Sequence, residues 1–287
     1  MAAITAQMVK ELREKTGAGM MDCKKALAAV EGDQQKAIDW LRQKGMAKAE
    51  KKSGRATAEG LVTYAQNSDA SVAALSSLYC ETDFVARGDK FQDMAKSIAE
   101  TVLTKNPADA GALAELLGDS VTQLIATVGE NMKVGAFVRH AASSPNEAIG
   151  HYVHANGKIG VLVWAQVGKA ENAKSEPVAN LLRELAMQVA ATSPMAVTAD
   201  GVDPKAIERE RQVYVEKARA EGKPDNIVEK IADGAVAKFK KSVCLLDQPY
   251  IREEKKSVSE IVKETAKKIN DTITVVGYNR IQLAAEE

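Results

Sequence analysis

Apolar residues recur at helical spacing over the first part of the chain, between residues that typically start or stop a helix. Met8, Val9 and Leu12 share one face of a first helix, which Thr5 can cap and which ends at Gly17. Two more amphipathic segments of the same period follow. Three residues mark their boundaries: Gly32 after the second helix, Asp33 as cap of the third, and Gly45 as its end. The pattern predicts a bundle of three short helices over residues 1–46.

Polar and basic residues replace this pattern over residues 47–58. Lys48, Lys51, Lys52 and Arg55 lie among alanine, serine and glycine, without an apolar period. A charged run of this kind is usually a solvated connection between folded parts. We therefore expect a linker here and a new domain from residue 59.

Strand-forming side chains dominate the next segment. Residues 61–64 and 72–79 are rich in them, and Asn67-Ser68-Asp69 between the two runs indicates a hairpin. Apolar spacing then predicts a helix that begins near Gly88 and a second over residues 120–128. A closing strand over residues 134–138 ends a first subdomain, which we place at residues 59–142.

The same order of elements recurs in the remainder of the chain, at residues 143–287. Strands over residues 148–154 and 159–167 flank Asn156-Gly157, a strong hairpin-turn signal. The series is completed by helices over 177–191 and 257–269 and by a strand over 273–276. The repeated order predicts an α+β protein with two similar α+β subdomains. Each subdomain is expected to carry helices on one face of an antiparallel sheet.

The second subdomain contains an insertion at about residues 203–241. Apolar residues keep near-helical spacing on both sides of Gly222-Lys223-Pro224-Asp225, which interrupts the helix. The pattern predicts a helical hairpin of coiled-coil type with a narrow apolar seam. The seam leaves two alternatives open, namely packing within the chain alone or contact with a second copy.

Composition adds limits rather than a function. The chain of 287 residues has 45% hydrophobic and 27% charged residues, which is ordinary for a soluble globular protein of more than one domain. Lysine plus arginine equals aspartate plus glutamate, at 39 each. A neutral chain gives no electrostatic reason to expect direct nucleic-acid binding. Residues 1–60 have a small basic excess and residues 61–200 a small acidic one, which could orient a partner.

Cysteine usage and the apolar runs bear on the compartment. Cys23, Cys80 and Cys244 are odd in number and far apart in sequence, which argues against disulfide, zinc and redox motifs. The N-terminus alternates polar and apolar residues and does not resemble a signal peptide. No apolar run is long enough to span a membrane. A cytoplasmic protein is expected.

The sequence shows no enzyme motif. It lacks the metalloprotease, nucleophile-elbow, phosphate-loop and dinucleotide patterns. Its histidines are His140, His151 and His154. The last two belong to one predicted strand, and a spacing of three places them on opposite faces, which is a poor arrangement for metal binding. We expect no catalytic residue, no metal and no cofactor.

One stretch, CETDFVA at residues 80–86, joins the second predicted strand to the following helix. Thr82 or Asp83 can cap that helix, in which case Phe84 and Val85 enter the core. Alternatively, the acid and the aromatic stand on a rigid turn and form a wedge that enters a pocket of a partner. Local residue chemistry leaves both interpretations open.

Two motifs in this order resemble the elongation factor Ts family: LREKTGAGMMDCKKAL at residues 12–27 and TDFVA at residues 82–86. The resemblance covers nearly the whole chain. It implies a guanine-nucleotide exchange factor for the GTPase elongation factor Tu, without covalent chemistry or cofactor. It also implies that the N-terminal bundle is of the ubiquitin-associated type, and it favours a homodimer contact for the helical hairpin.

The resemblance also implies which residues contact the GTPase. The wedge turn would disturb Mg²⁺ and phosphate binding in the partner through four residues: Thr82, Asp83, Phe84 and Val85. Weaker positional matches imply further partner contacts at Arg13, Met20, Met21, Lys24, Val128, Gly129, His154 and Ile251. A protein of another class, a helical-bundle adaptor that binds a different peptide or an RNA-associated complex without exchange activity, is the alternative.

The chain departs from the family pattern at three places. Gln188 stands where the family often has histidine, so a role that needs an ionisable ring is in doubt. Ser77 stands where an acidic residue is common. The chain continues from Gly277-Tyr278-Asn279-Arg280 to end at Ala284-Ala285-Glu286-Glu287, and a further C-terminal helix common in the family is expected to be absent.

Overall fold

The computed structural model describes residues 4–283. Its helices are α1 (Ala6–Thr16), α2 (Met20–Ala29), α3 (Gln34–Glu50), α4 (Asp83–Ala86), α5 (Asp89–Lys105), α6 (Ala110–Leu117), α7 (Ser120–Val128), α8 (Glu176–Thr192), α9 (Pro204–Ala220), α10 (Asp225–Val243) and α11 (Val258–Lys268). Its strands are β1 (Glu59–Gln66), β2 (Val72–Cys80), β3 (Met132–Ala141), β4 (Glu147–Val153), β5 (Ile159–Val167), β6 (Pro249–Tyr250), β7 (Glu253–Ser257) and β8 (Ile273–Gln282). The fold is of the predicted α+β class, with small antiparallel sheets.

The chain forms two compact units. The first contains the residues up to 65, residues 74–139 and the residues from 282 onward, and the second contains residues 66–73 and 140–281. The N-terminal helices and most of the first sheet thus belong to one unit, and the ends of its strands belong to the other. The finer division predicted from the sequence, with boundaries after residues 46, 58 and 142, stays a prediction. The C-terminal Ala284–Glu287, where the family pattern is left, lie outside the described residues.

The N-terminal helices have the predicted caps. The Thr5 side chain accepts a hydrogen bond from the Met8 amide at the start of α1, and Asp33 accepts one from Lys36 at the start of α3. Gly17 ends α1 with a positive φ of 64°, which glycine adopts without strain. A small apolar core holds the helices together: Val9, Leu12, Cys23, Ala26, Leu27 and Ala37.

The expected end of the third helix at Gly45 is wrong. Helix α3 continues to Glu50, so the first residues of the predicted linker are helical. Gly45 is buried against α7, and a Cβ at this position would lie 3.3 Å from the Ala126 Cβ. The glycine therefore lets two helices approach closely, and this packing outweighs its weak helix propensity.

The first sheet has the strand order β1-β2-β3, with the predicted hairpin and closing strand. Helix α5 buries an apolar face that includes Phe91, Ile98 and Val102, and α7 buries Leu124 and Ile125. Helix α6 was not predicted. It buries only Leu113 among its eight residues, so its sequence carries little helical period.

The second sheet repeats the arrangement with the strand order β4-β5-β8. Strands β4 and β5 pair antiparallel from Glu147 opposite Gln166 to Val153 opposite Gly160. Helix α8 packs closely on this sheet, since a Cβ on Gly150 would lie 2.4 Å from the Leu182 Cβ. Strand β8 is longer than predicted, and the short β6–β7 ribbon was not predicted at all.

The insertion folds as the predicted helical hairpin of α9 and α10, with Gly222 in the connecting turn. Arg211 on α9 pairs with Glu229 and Asp233 on α10. At its base, Ile207 and Phe239 pack on the buried Ala196, Val202 and Cys244. Several apolar side chains of the hairpin are exposed: Val213, Ile227 and Ile231.

Cys23, Cys80 and Cys244 are buried free thiols. Between residues 4 and 283, no helix is both long enough and apolar enough to cross a membrane.

Candidate partner-binding site

The stretch from Thr82 to Val85 stands on a single helical turn between β2 and α5. Thr82 has extended backbone dihedrals and caps α4, its hydroxyl accepting a hydrogen bond from the Val85 amide at 3.4 Å. Thr82 therefore caps this short turn, whereas the predicted cap of the following helix is wrong, because α5 begins after Gly88 without a side-chain cap. The core part of the first interpretation is wrong for Phe84, whose residue surface is 83% exposed, whereas Ala86 is buried and Val85 half-buried.

The carboxylate of Glu130 holds this turn from the side. Its Oε2 accepts hydrogen bonds from the backbone amides of Glu81 at 3.2 Å and Thr82 at 3.0 Å. Its Oε1 accepts a hydrogen bond of 2.6 Å from the Thr82 hydroxyl. Bonds to an ionised acceptor are stronger than neutral ones, so three of them fix the turn firmly.

A second carboxylate, that of Glu81, connects the turn back to the segment that contains Glu130. Glu81 Oε1 accepts a 2.6 Å hydrogen bond from the Asn131 amide. The Asn131 side chain is buried and donates to the carbonyl oxygens of Ser53 and Arg55. The Arg55 guanidinium also lies 3.5 Å from Glu81. The turn at residues 80–86, residues 130–131 and the connection after α3 are thus held together by side-chain contacts.

Cys80 is buried directly beneath the turn. Its thiol donates to the Thr82 carbonyl oxygen at 3.2 Å. Burial raises the pKa of this thiol to about 12, helped by the nearby Glu130 carboxylate. The thiol therefore stays protonated at neutral pH and keeps its hydrogen available for this contact.

Asp83 points outward beside Phe84. Its carboxylate lies 3.0 Å from the Arg87 guanidinium, and the side chains of Asp83 and Arg87 are 45% and 79% exposed. An exposed ion pair of this kind contributes little to stability. Asp83 is therefore free to exchange its intramolecular partner for a group on another protein.

The other predicted contact residues of the first unit are also at the surface. Met20 and Met21 at the start of α2 are 60% and 63% exposed, and Arg13 and Lys24 are exposed as well. The α1–α2 turn approaches the start of α5, because a Cβ on Gly17 would lie 4.0 Å from the Lys90 ammonium.

Val128 and Gly129 end α7, directly before the Glu130 that holds the wedge turn. Both residues are half-buried, and Gly129 has the positive φ of 92° that favours glycine. The structure thus links this predicted contact turn to the Phe84 turn through one carboxylate.

Glu81, Glu130 and Asn131 were missed as contributors to the site. Glu81 lies within the CETDFVA stretch but received no role there, and no motif or charge pattern singled out Glu130 or Asn131. Only the position of Glu130 and Asn131 directly after the predicted Val128-Gly129 contact pointed to this segment.

Two predicted contact residues belong to the second unit, on separate hairpins. His154 is exposed and lies just beyond the end of β4, with its Nδ1 2.9 Å from the Tyr152 hydroxyl. The expectation that His151 and His154 share a strand is therefore wrong, because β4 ends at Val153. Ile251 is 41% exposed in the turn between β6 and β7.

The two internal departures from the family pattern are both buried. Ser77 donates a 2.9 Å hydrogen bond to the Ala136 carbonyl oxygen on the neighbouring strand β3. Gln188 is fully buried on α8 and makes its contacts through a neutral amide.

One group of side chains deserves comparison with a catalytic triad. Glu147 is buried and accepts hydrogen bonds from both His140 and the Ser143 hydroxyl, while His140 stacks on Trp164. A triad needs the histidine between the nucleophile and the acid. Here the histidine and the serine both bind the acid, so the group does not have the geometry of a triad and stabilises the local structure instead. In the part of the chain that the structure describes, no cluster of three or more histidine, cysteine or acidic residues is placed to hold a metal.

An exposed aromatic on an anchored turn beside an outward-facing acid is typical of protein-binding surfaces, and the exposed Met20 and Met21 belong to the same unit. A sequence model of the family described as Elongation factor TS matches residues 81–284. The chain is 64% identical to Elongation factor Ts of Desulfovibrio desulfuricans over 286 residues, which cover 100% of both chains.

More distant relatives have the same name. Identity is 52% to Elongation factor Ts of Nitratidesulfovibrio vulgaris, with 99% of both chains covered. It is 44% to that of Trichlorobacter lovleyi, with 98% of this chain and 93% of the relative covered. The chain belongs to the elongation factor Ts family and is a translation elongation factor.

Proposed function

We propose that the chain is a guanine-nucleotide exchange factor for the translational GTPase elongation factor Tu. It binds the GTPase, promotes the release of GDP and leaves when GTP enters. It performs no covalent chemistry, needs no cofactor and acts in the cytoplasm. Membership of the elongation factor Ts family supports this proposal, as does the surface around the wedge turn.

The single observation that carries the mechanism is the exposure of Phe84 on a turn that is otherwise fixed. An aromatic ring that is 83% exposed has a high cost in water and gains most by entering a pocket of a partner. The Glu130 hydrogen bonds keep the backbone below it in place. Little conformational freedom is therefore lost when the ring binds.

The exchange mechanism is thermodynamic linkage. A factor that binds the nucleotide-free conformation of the GTPase more tightly must weaken nucleotide binding by the same factor. We propose that Phe84 enters between elements of the GTPase and that Asp83 reaches its polar groups. The displaced elements then hold Mg²⁺ and phosphate less well, and GDP dissociates faster.

In this proposal the remaining predicted residues also contact the partner. In the first unit they are Arg13, Met20, Met21, Lys24, Val128 and Gly129, and in the second His154 and Ile251. Exposed methionines suit such a role because their flexible, polarizable side chains adapt to a partner. We propose no direct nucleic-acid contact for this neutral chain.

The helical hairpin is proposed as the contact of a homodimer. Val213, Ile227 and Ile231 leave apolar surface exposed on α9 and α10. A second copy of the hairpin would cover such side chains and bury apolar area.

The proposal is tested by the release of labelled GDP from the cognate elongation factor Tu, with and without this protein. We expect faster release that saturates with factor concentration. Binding of elongation factor Tu without faster release would favour a simple adaptor. Failure to bind it at all would refute the proposal, and turnover on a panel of metabolites would indicate an enzyme instead.

A further inference from the structure

The turn between β6 and β7 is a short, unusually well-anchored tip. Only Ile251 and Arg252 connect the two strands, and Ile251 exposes 41% of its surface. A two-stranded ribbon is marginally stable by itself. The tip therefore needs contacts from elsewhere to hold one conformation.

The contacts to the backbone of the ribbon come from one buried side-chain amide on α8. The Gln188 Oε1 accepts a 2.9 Å hydrogen bond from the Ile251 backbone amide. Its Nε2 donates to the Pro249 carbonyl oxygen at 3.2 Å and to Gln248 Oε1 at 3.1 Å. Gln188 thus holds the ribbon on both sides of Tyr250.

A second layer fixes this amide. Gln248 Oε1 also accepts a 2.8 Å hydrogen bond from the Thr192 hydroxyl. Gln248 Nε2 donates to the Ser242 carbonyl oxygen at 2.8 Å, which connects the network to the end of α10. The side-chain oxygen and nitrogen of both buried amides, Gln188 and Gln248, thus have partners. Such an arrangement is rigid, because any rearrangement leaves a buried polar group without a partner.

The residues next to Ile251 are tied to the same helix. The Tyr250 hydroxyl donates to Glu184 at 2.7 Å, and the Arg252 guanidinium lies near Glu184 and the Met187 sulfur. Both residues of the turn are exposed, but the Arg252 guanidinium lies against side chains of α8, whereas Ile251 presents an apolar side chain on an anchored backbone.

We propose that Gln188 is a positioning residue for partner binding. It fixes the Ile251 turn so that this isoleucine enters an apolar pocket of the GTPase in a preformed conformation. This inference rests on the proposed function, because the partner is the same. It adds a residue that is fully buried and touches no partner itself.

A double-mutant cycle tests the inference. Affinity for nucleotide-free elongation factor Tu is measured for the wild type, Gln188→Met, Ile251→Ala and the double variant. We expect each single change to weaken binding by roughly tenfold, a loss that only a minority of interface residues cause when they are truncated. Gln188→Met should have little further effect once Ile251 is alanine, because the two residues act as one unit.

A readout without partner makes the test independent of the proposed function. Hydrogen exchange of the Ile251 amide should accelerate in Gln188→Met, because the acceptor oxygen is lost. Thr192→Val is a milder change that removes only the Thr192 hydrogen bonds to this network. It should accelerate the same exchange to a smaller extent, and it covers the case in which Gln188→Met does not fold. Tyr278→Phe is the matched control, because it removes a partly buried 2.6 Å hydrogen bond to the Pro194 carbonyl oxygen in the same unit, which involves no residue of the Gln188 network.

Several outcomes would overturn the inference. Equal losses of affinity from Gln188→Met in both backgrounds would mean that Gln188 acts on general stability. Unchanged binding by Ile251→Ala would remove the tip from the interface. Unchanged amide exchange at Ile251 would show that Gln188 does not hold it. A wild-type protein that does not bind the GTPase would refute both this inference and the proposed function.

Discussion

At the level of single residues, the proposed site depends most on whether Phe84 is buried or exposed. A phenylalanine that follows a capping threonine usually packs into the core, and the sequence left that alternative open. The side chain is instead 83% exposed, while the small Ala86 takes the buried position of the turn. Sequence could supply the cap and the residue types, but exposure depends on where β2 and α5 direct the turn.

Phe84→Ala should therefore separate stability from binding. Because the ring is exposed, we expect a free energy of unfolding within about 0.5 kcal/mol of wild type, as for surface substitutions. Binding to the GTPase should weaken by about 2–4 kcal/mol, and GDP release should slow accordingly. Melting temperature and release rate are measured on the same preparations.

Leu116→Ala is the matched control, since Leu116 is an exposed leucine on α6 that belongs to no predicted contact. It should leave both quantities unchanged. A loss of about 3–5 kcal/mol of stability in Phe84→Ala, the usual effect for a buried phenylalanine, would contradict the wedge.

Glu130→Gln tests the residue that sequence reasoning missed. Glu130 uses both oxygens as acceptors, and an amide of the same size offers only one. The –NH₂ group must then face the Thr82 hydroxyl or the two backbone amides. We expect a looser turn, faster hydrogen exchange at Glu81 and Thr82, and slower GDP release.

Glu115→Gln on α6 removes the same charge from an exposed position and should change neither property. If Glu130→Gln accelerated amide exchange without slowing GDP release, the rigidity of the turn would be irrelevant to function. Glu130 would then be only a structural residue.

At the level of elements, local signals predicted what local forces determine. The caps of α1 and α3, the bounds of α7 and the Asn156-Gly157 hairpin follow from neighbouring residues. The β6–β7 ribbon was missed because Gln188 holds it from some sixty residues away in sequence. Helix α3 passes Gly45 for a similar reason, since α7 packs there.

The helical hairpin can be removed as an element. The base of the hairpin packs through Ile207 and Phe239 on Val202 and Cys244. The deletion should therefore retain Ile207 and Phe239. Replacing residues 208–238 by a short Gly/Ser bridge should abolish self-association, measured by sedimentation, and leave GDP release unchanged. Loss of exchange in a deletion variant that still melts cooperatively would place the hairpin in the active surface.

A carboxylate joins two helices of the N-terminal bundle. Asp22 on α2 contacts Lys48 at 2.8 Å and Lys44 at 3.2 Å on α3. The hydrogen bond from Lys48, with that from Lys44, lowers the pKa of Asp22 below its ordinary value of 3.8. A carboxyl whose pKa is lower in the folded state stabilises the fold above the unfolded pKa. This contribution is lost as pH falls through the folded pKa.

Asp22→Asn should consequently lower the melting temperature at neutral pH and reduce its decline on acidification below about pH 4, where linkage to this group begins. The measurement is a series of melting curves from neutral to acidic pH. Asp39→Asn, at an exposed position in the interior of α3, serves as control for loss of a carboxylate in the same bundle. Parallel pH profiles for wild type and Asp22→Asn would exclude Asp22 as a source of acid sensitivity.

At the scale of the whole molecule, the bundle is more closely integrated than the basic linker suggested. Arg42 on α3 pairs with Asp119 beside α7, and Gly45 packs on Ala126. A cavity of about 160 Å³ lies between the two helices, lined by Leu41, Met46, Thr122 and Gln123 among others. The linker composition indicated a solvated connection, but the long-range packing of α3 could not be read from it.

Removing residues 1–50 therefore has two expected effects with different causes. The truncated protein should melt cooperatively at a lower temperature, because the face of α7 that α3 covers becomes exposed to water. Its exchange activity should also fall, because Met20 and Met21 are lost from the proposed surface. Replacing only Met20 and Met21 by alanine distinguishes the causes, since both side chains are exposed and their removal should cost little stability. We expect that variant to melt like wild type and to release GDP more slowly, and unchanged release in both variants would exclude the bundle from the interface.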